Sequence, residues 1–315
     1  MSSSIITPDF PLARPRRLRK TDALRRMVSE NTLTADDLIW PVFVTAGKNQ
    51  RDAVASMPGV ERLSVDLLVK AAREAFDLGI PAICIFPYTD PSLKTEDCAE
   101  AWNPDNLSNQ AIRAIKDAVP EMMIMTDIAL DPYNINGHDG YVVDGEIVND
   151  QTVEALVKMA IAQAEAGADI LGPSDMMDGR IRAMRTALES EGHQNVAILS
   201  YTAKYASGFY GPFRDAVGAS GALKGDKKTY QMDPANRREA IREAALDLQE
   251  GADILMVKPA LCYLDIISDL QNYSDVPVAA YNVSGEYAML KAACDKGWLN
   301  YDQAMPEMLL SIVRS

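Results

Sequence analysis

Two lysines close two strongly apolar runs. Lys204 ends Val196-Ala-Ile-Leu-Ser-Tyr-Thr-Ala-Lys204, and Lys258 ends Ala252-Asp-Ile-Leu-Met-Val-Lys258 just before Pro259. Each run is short and rich in aliphatic residues, the mark of a buried parallel strand. A lysine at the carboxyl end of such a strand, in a chain that alternates strands with helices, stands where α/β barrels keep their chemistry. An amine taken out of water loses its proton more readily, and a neutral amine attacks a ketone to form a Schiff base. A second ammonium close by pushes the same way. These residues suggest a two-lysine Schiff-base enzyme. The plainer alternative is that each lysine caps its strand in a surface ion pair.

Other residues fit the first reading. Asp127, in Asp127-Ile-Ala-Leu-Asp131-Pro-Tyr, stands at a strand end where it would keep one ammonium charged and separate two amine pKa values. Asp131, His138 and Asp139 in the loop that follows suggest a hard-cation site, although turn chemistry with the neighbouring Asn and Gly residues is the simpler account. Zinc finds no thiols there, and the whole chain has only two histidines. After Lys204 come Tyr205–Arg214 and a glycine-rich, basic stretch to Lys228, the composition of a carboxylate-recognising lid with Arg214 and Lys227 as clamps, or of a solvated loop. Ser174 and Ser284, both candidate substrate-binding residues, also fall at strand-to-helix junctions. Ser284 is well placed to bind a carboxylate with its hydroxyl and backbone N–H, and N-capping is the modest reading of both serines.

The elements that must position these groups alternate. Strands are expected at 39–45, 82–87, 122–130, 170–174, 197–204, 254–259 and 277–283. Helices are expected near 66–78, 106–118, 150–166, 180–190, 235–250, 263–271, 286–296 and 302–314. This is the rhythm of parallel βαβ units. A doubly wound sheet would show a glycine-rich phosphate loop after its first strand, and none follows Val44. Gly-Ala-Asp-Ile-Leu occurs twice, at 167–171 and 251–255, each time as a helix C-cap leading into a strand. The expected fold is an α/β (β/α)8 TIM barrel over residues 36–315. The count is one strand short, so the barrel is expected to be truncated before its last strand. Residues 1–35 form a basic, proline-bearing arm for subunit contacts.

The chain has 315 residues, 48% of them hydrophobic, and a net charge of −14, which disfavours nucleic acid and anionic membranes as partners. No apolar stretch has membrane-spanning length, and Met1-Ser-Ser-Ser lacks a signal-peptide layout. Four cysteines without paired spacing fit a reduced, cytoplasmic protein.

These segments together resemble the porphobilinogen synthase (5-aminolevulinate dehydratase) family over nearly the whole length. The resemblance runs from Arg14-Pro-Arg-Arg-Leu-Arg through Pro173-Ser-Asp-Met-Met-Asp-Gly-Arg, Tyr201-Thr-Ala-Lys-Tyr-Ala-Ser, Tyr210-Gly-Pro-Phe-Arg and Met256-Val-Lys-Pro-Ala to Val283-Ser-Gly-Glu-Tyr. It implies a (β/α)8 barrel with an N-terminal arm that condenses two 5-aminolevulinate molecules into porphobilinogen for heme and other tetrapyrroles. It also implies roles. Lys258 binds the first substrate and Lys204 the second. Arg214, Lys227 and Gln231 grip the second carboxylate. Ser284 grips the first, together with a tyrosine on a later strand that these residues do not reach. Ala129, Asp131 and Asp139 stand where zinc-dependent members carry cysteines, so the chain resembles the aspartate-rich branch without active-site zinc. Glu243 and Arg19 match a regulatory Mg²⁺ site between subunits, and a homo-octamer is implied. No organic cofactor is expected. The competing expectations are a class I aldolase-type barrel, which would need one lysine and a late phosphate loop, and an inactive truncated barrel with an assembly role.

Overall fold

The structure, a computed structural model, describes residues 8–218, 223 and 225–315. The arm holds a short 3₁₀ turn at Pro15–Arg19 and helix α1 (Asp22–Met27), neither with a buried residue. Next come β1 (Ile39–Thr45), β2 (Arg51–Ala53), β3 (Glu61–Ser64), α2 (Val65–Asp77), β4 (Ala82–Pro87), α3 (Leu107–Ala118) and β5 (Met123–Ile128). A hairpin of β6 (Tyr141–Val143) and β7 (Glu146–Val148) precedes α4 (Asn149–Ala166), β8 (Ile170–Pro173), α5 (Arg180–Ser190) and β9 (Ala197–Lys204). The chain continues through α6 (Gly211–Ala216), α7 (Arg238–Glu250), β10 (Ile254–Lys258), α8 (Leu264–Tyr273), β11 (Val278–Ala280), α9 (Ser284–Asp295) and α10 (Tyr301–Val313).

All seven expected strands are present as β1, β4, β5, β8, β9, β10 and β11, parallel and adjacent in chain order. An order with no reversal is that of a singly wound barrel sheet rather than a doubly wound one. Alternation sorts the side chains into two layers. Val42, Val44, Ile83, Ile85, Ile124, Leu255 and Val257 pack outward under the helices. Phe43, Cys84, Phe86, Met125, Leu199, Tyr201 and Met256 fill the inner side.

Closure follows the strand count, which is one short of eight. The sheet is open: β1 pairs with β4 and β3, β11 pairs only with β10, and a cleft of about 780 Å³ separates β1 from β11. With one neighbour, β11 is also shorter than expected and ends at Ala280, leaving Tyr281–Val283 outside the strand. The short β2, β3, β6 and β7 and the six-residue helix α6 were not expected, because elements of three to six residues are too short to show a period.

The repeated Gly-Ala-Asp has a clear physical role. Gly167 and Gly251 cap α4 and α7 in the left-handed region, at φ 106° and 102°. Asp169 and Asp253 then accept backbone N–H groups of the preceding strand, from Ile124 and Ile198, each at 2.7 Å. Each turn thereby sets the start of one strand against the next. Another fixed approach is at Gly285, where an added Cβ would lie 2.8 Å from Phe209 Cα and closer still to its carbonyl oxygen. Alanine normally gains about 1 kcal/mol over glycine in a helix. Here the backbone clash reverses the sign, and Gly285→Ala should lower stability by about 1–3 kcal/mol, read from the urea midpoint.

Candidate active site

The ends of β9 and β10 place Lys204 directly opposite Lys258 in the sheet register. Both are 6% exposed. The Lys258 ammonium lies 4.3 Å from the Tyr281 ring centre and 5.2–5.4 Å from those of Tyr201, Tyr210 and Phe213. Burial in this aromatic surround, together with the Lys204 charge, lowers the Lys258 amine to about 7, against a weaker upward pull from Asp127.

Lys204 is held differently. Its ammonium donates to the Ser174 carbonyl and sits 3.4 Å from Asp139 Oδ2. The other oxygen of Asp139 is 2.5 Å from Lys227 Nζ, which also reaches Asp131 at 3.3 Å. One buried carboxylate thus bridges two ammonium groups. Burial presses the Asp139 carboxyl upward, but Lys204 and Lys227 outweigh it and hold the group below its ordinary value. Desolvation would depress Lys227, yet Asp131 and Asp139 leave it raised.

Asp127 is brought to the same floor, but as neither lysine's ion-pair partner: Asp139 takes that place beside Lys204. Burial first, then Asp131, raise the Asp127 carboxyl to about 6, while Lys204 and Lys258 draw it back. Its Oδ1 is buried with no hydrogen-bond partner. Asp131 and Asp139, read from sequence as a possible ion site, are spanned by Lys227 instead. Among the described residues no group of three or more His, Cys, Asp or Glu side chains is arranged to hold a metal.

The remaining candidates are placed as follows. Gln231 is buried, its N–H bonded to the Lys227 carbonyl at 2.9 Å. Arg214 lies half-buried on α6, its charge felt at Tyr210 and Tyr230. The middle of the expected lid, 219–222 and 224, lies outside the described residues. Ser174 meets Lys204 through its carbonyl rather than its hydroxyl. Ser284 is the first residue of α9 rather than its cap; its hydroxyl accepts from Phe213 N–H at 2.9 Å and approaches the Phe209 carbonyl at 3.4 Å. Glu243 is half-buried on α7 and Arg19 is exposed on the arm, and among the described residues they form no ion pair with each other.

Sequence reasoning missed the aromatic cage. Tyr281 stands three residues before Ser284, and Tyr201 three before Lys204, within segments already singled out. The signal was an aromatic beside a strand-end lysine.

Residues 12–315 match the family model described as delta-aminolevulinic acid dehydratase. The chain belongs to the delta-aminolevulinic acid dehydratase family. It is 59% identical over 312 residues to the delta-aminolevulinic acid dehydratase of Rhodobacter capsulatus, covering 99% of this chain and 94% of that protein. The Bradyrhizobium diazoefficiens enzyme is 56% identical, with coverages of 98% and 88%. The crystal structure of the Toxoplasma gondii ME49 dehydratase, in complex with its product porphobilinogen, superposes with a TM-score of 0.94 at 50% identity, covering 96% of this chain and 86% of that one.

The bridging carboxylate gives a direct test. Asp139→Asn leaves Lys204 without its carboxylate and Lys227 with Asp131 alone, and should cost about 3 kcal/mol at neutral pH. Because the fold depresses the Asp139 pKa, its contribution is complete above the unfolded value near 3.8 and fades as pH falls below it. The gap between wild type and variant in chemical denaturation should therefore narrow in acid.

Proposed function

We propose that this chain condenses two 5-aminolevulinate molecules into porphobilinogen, for tetrapyrrole synthesis, through Schiff bases on Lys258 and Lys204. The observation that carries the reading is the pairing of two buried lysines at adjacent strand ends, one with its amine near 7. The neutral Lys258 amine adds to one substrate ketone, the ketone oxygen leaves as water, and an imine remains. Lys204 must first pass a proton from its ammonium to a neighbouring group, after which its amine forms the second imine in the same way. The protonated imine acidifies the neighbouring C–H, and its loss supplies the carbon nucleophile for the carbon–carbon bond. The amino group of one molecule closes the carbon–nitrogen bond, and both lysines are released. Asp127, with its carboxyl near 6 and an unpartnered oxygen, is suited to carry one of these protons.

Two unlike pockets order two identical substrates. Lys227 uses two of its three N–H donors on Asp131 and Asp139, leaving one for the second carboxylate beside Arg214 and Gln231. The Ser284 hydroxyl proton is spent only on a long contact to Phe209, which the first carboxylate would replace. Ser174 serves by holding Lys204.

The residues also bear on metals. Ala129, Asp131 and Asp139 offer no thiolate, and the two aspartates are engaged by Lys227, which supports the aspartate-rich, zinc-free branch. Glu243 lies in the field of Asp247, Asp178 and Glu239, which with burial raises its carboxyl. That anionic setting fits a divalent cation held by one carboxylate and waters, with Arg19 of a neighbouring arm as partner. Mg²⁺ there would act as a regulator. The arm exposes Phe10, Leu12, Leu18 and Met27, which supports its wrapping another copy in a homo-octamer and its separation at residue 35 from the barrel. All four cysteines are free, which supports a cytoplasmic enzyme acting on a small molecule; no described helix is long and apolar enough to cross a membrane.

Borohydride trapping with 5-aminolevulinate across pH, read by peptide mass spectrometry, tests the reading. Lys258 adducts should rise through about pH 7. The midpoint should move up in Lys204→Met, which removes a repelling charge, and down in Asp127→Asn, which removes an attracting one. Adducts on neither lysine would overturn it.

A further inference from the structure

The register of β9 against β10 changes part-way along. Leu255 is paired with Ser200, yet Val257 is paired with Ala203, so β9 carries one extra residue. Such a bulge, rare between parallel strands, re-aims the side chains beyond it. Ser200 and Thr202 face outward, where their hydroxyls meet α7. An unbroken strand would send Lys204 outward as well, because side chains alternate. Instead Ala203 joins the outer core, and Lys204 is paired with Lys258, its ammonium 5.9 Å from the inward Tyr201 ring.

A buried charge cluster grips this bulge. Asp247 Oδ2 accepts from Ser200 Oγ at 2.6 Å and from Thr202 Oγ1 at 2.7 Å, one oxygen holding both sides of Tyr201. Arg180 Nη2 lies 3.4 Å from the Tyr201 carbonyl, and its Nε is 3.5 Å from Asp175 Oδ2. Asp175 directly follows Ser174, whose carbonyl receives the Lys204 ammonium. Arg180, Asp175 and Asp247 are each at most 3% exposed, and none touches Lys258. Three buried charges are a large commitment for a strand that hydrophobic packing alone would hold.

We propose that Asp247, seconded by Arg180, is a positioning residue that maintains the β9 bulge and thereby turns Lys204 inward beside Lys258. The proposal rests on the reading of Lys204 as an imine-forming lysine. Thr202→Val removes one hydroxyl at nearly constant volume, Thr202→Ser keeps it, and Asp247→Asn removes the charge. Each full chain is treated with 5-aminolevulinate and borohydride, adducts at the two lysines are quantified separately, and the urea midpoint is recorded. Thr202→Val and Asp247→Asn should lose Lys204 adduct by about tenfold or more relative to Lys258, as expected for a misplaced reacting group, while Thr202→Ser keeps the wild-type ratio. An unchanged ratio in folded Thr202→Val would overturn the proposal, leaving the cluster a stabilising role only; this variant decides alone if Asp247→Asn does not fold. Where the unchanged chain traps only Lys258, a crystal structure of Thr202→Val decides: Lys204 out of register with Lys258 supports the proposal, and an unaltered pairing overturns it. Adducts on neither lysine of the unchanged chain would overturn the reading of the lysines instead.

Discussion

Two ammonium groups at the same level of adjacent strands, both sealed from water, repel each other, and much of the site can be understood as the settlement of that conflict. Each charge loses its hydration, and the low-dielectric surroundings strengthen the repulsion between them. The structure resolves this asymmetrically. Lys204 receives a carboxylate and a carbonyl. Lys258 receives four aromatic rings and, among the described residues, no carboxylate within ion-pairing distance, so its amine gives up its proton near neutrality.

The asymmetry needs a third cation. A buried carboxylate with Lys204 alone as partner would be costly to keep charged. Asp139 stays charged because Lys227 holds its second oxygen, and Lys227 in turn draws on Asp131. The row Asp131–Lys227–Asp139–Lys204 alternates in sign, so each buried charge has an opposite neighbour. Lys258 lies at the end where alternation stops. Asp127, beside it, has its carboxyl raised to about 6, which weakens the largest of the fields that would keep Lys258 protonated.

Much of this was legible in the sequence, for a reason that also sets the limit. Strands buried on both faces are continuous apolar runs, so β1, β4, β9 and β10 could be bounded closely and the lysines at two of their ends singled out. The Gly-Ala-Asp pairs announced helix caps because a left-handed residue favours glycine. What a single strand's pattern cannot carry is its register against the next. In Ile198-Leu-Ser-Tyr-Thr-Ala-Lys204 strict alternation puts Lys204 with Ser200 and Thr202, and only the pairing with β10 shows the inversion. The partners of buried charges were equally hidden: Asp139 was read as part of a possible ion site or as turn chemistry, and Asp247 and Arg180 gave no local sign, since each acts on a residue more than twenty positions away. Ser284 was placed at the right junction, but its hydroxyl contacts depend on where Phe209 and Phe213 come to lie.

The cage around Lys258 has a further consequence for how the chemistry is switched on. Its rings come from separate elements: Tyr201 from β9, Tyr210 and Phe213 from the segment around α6, and Tyr281 from beyond β11, beside the cleft to β1. Two of the four therefore belong to one piece of chain, which Arg62 holds through the Asp215 and Ala216 carbonyls and Ser56 through the Asp215 carboxylate. The Tyr210 hydroxyl donates to the Tyr205 carbonyl at 2.7 Å and approaches the Lys258 carbonyl at 3.2 Å, and Ser284 holds the Phe213 N–H. If that segment lifts, water reaches the amine, the desolvation that lowers its pKa is lost, and Lys258 takes up a proton. The Lys204 charge would still repel the proton, but the larger cause, desolvation, depends on these rings. The ring contacts that exclude water are thus the same ones that chiefly make Lys258 a reactive amine.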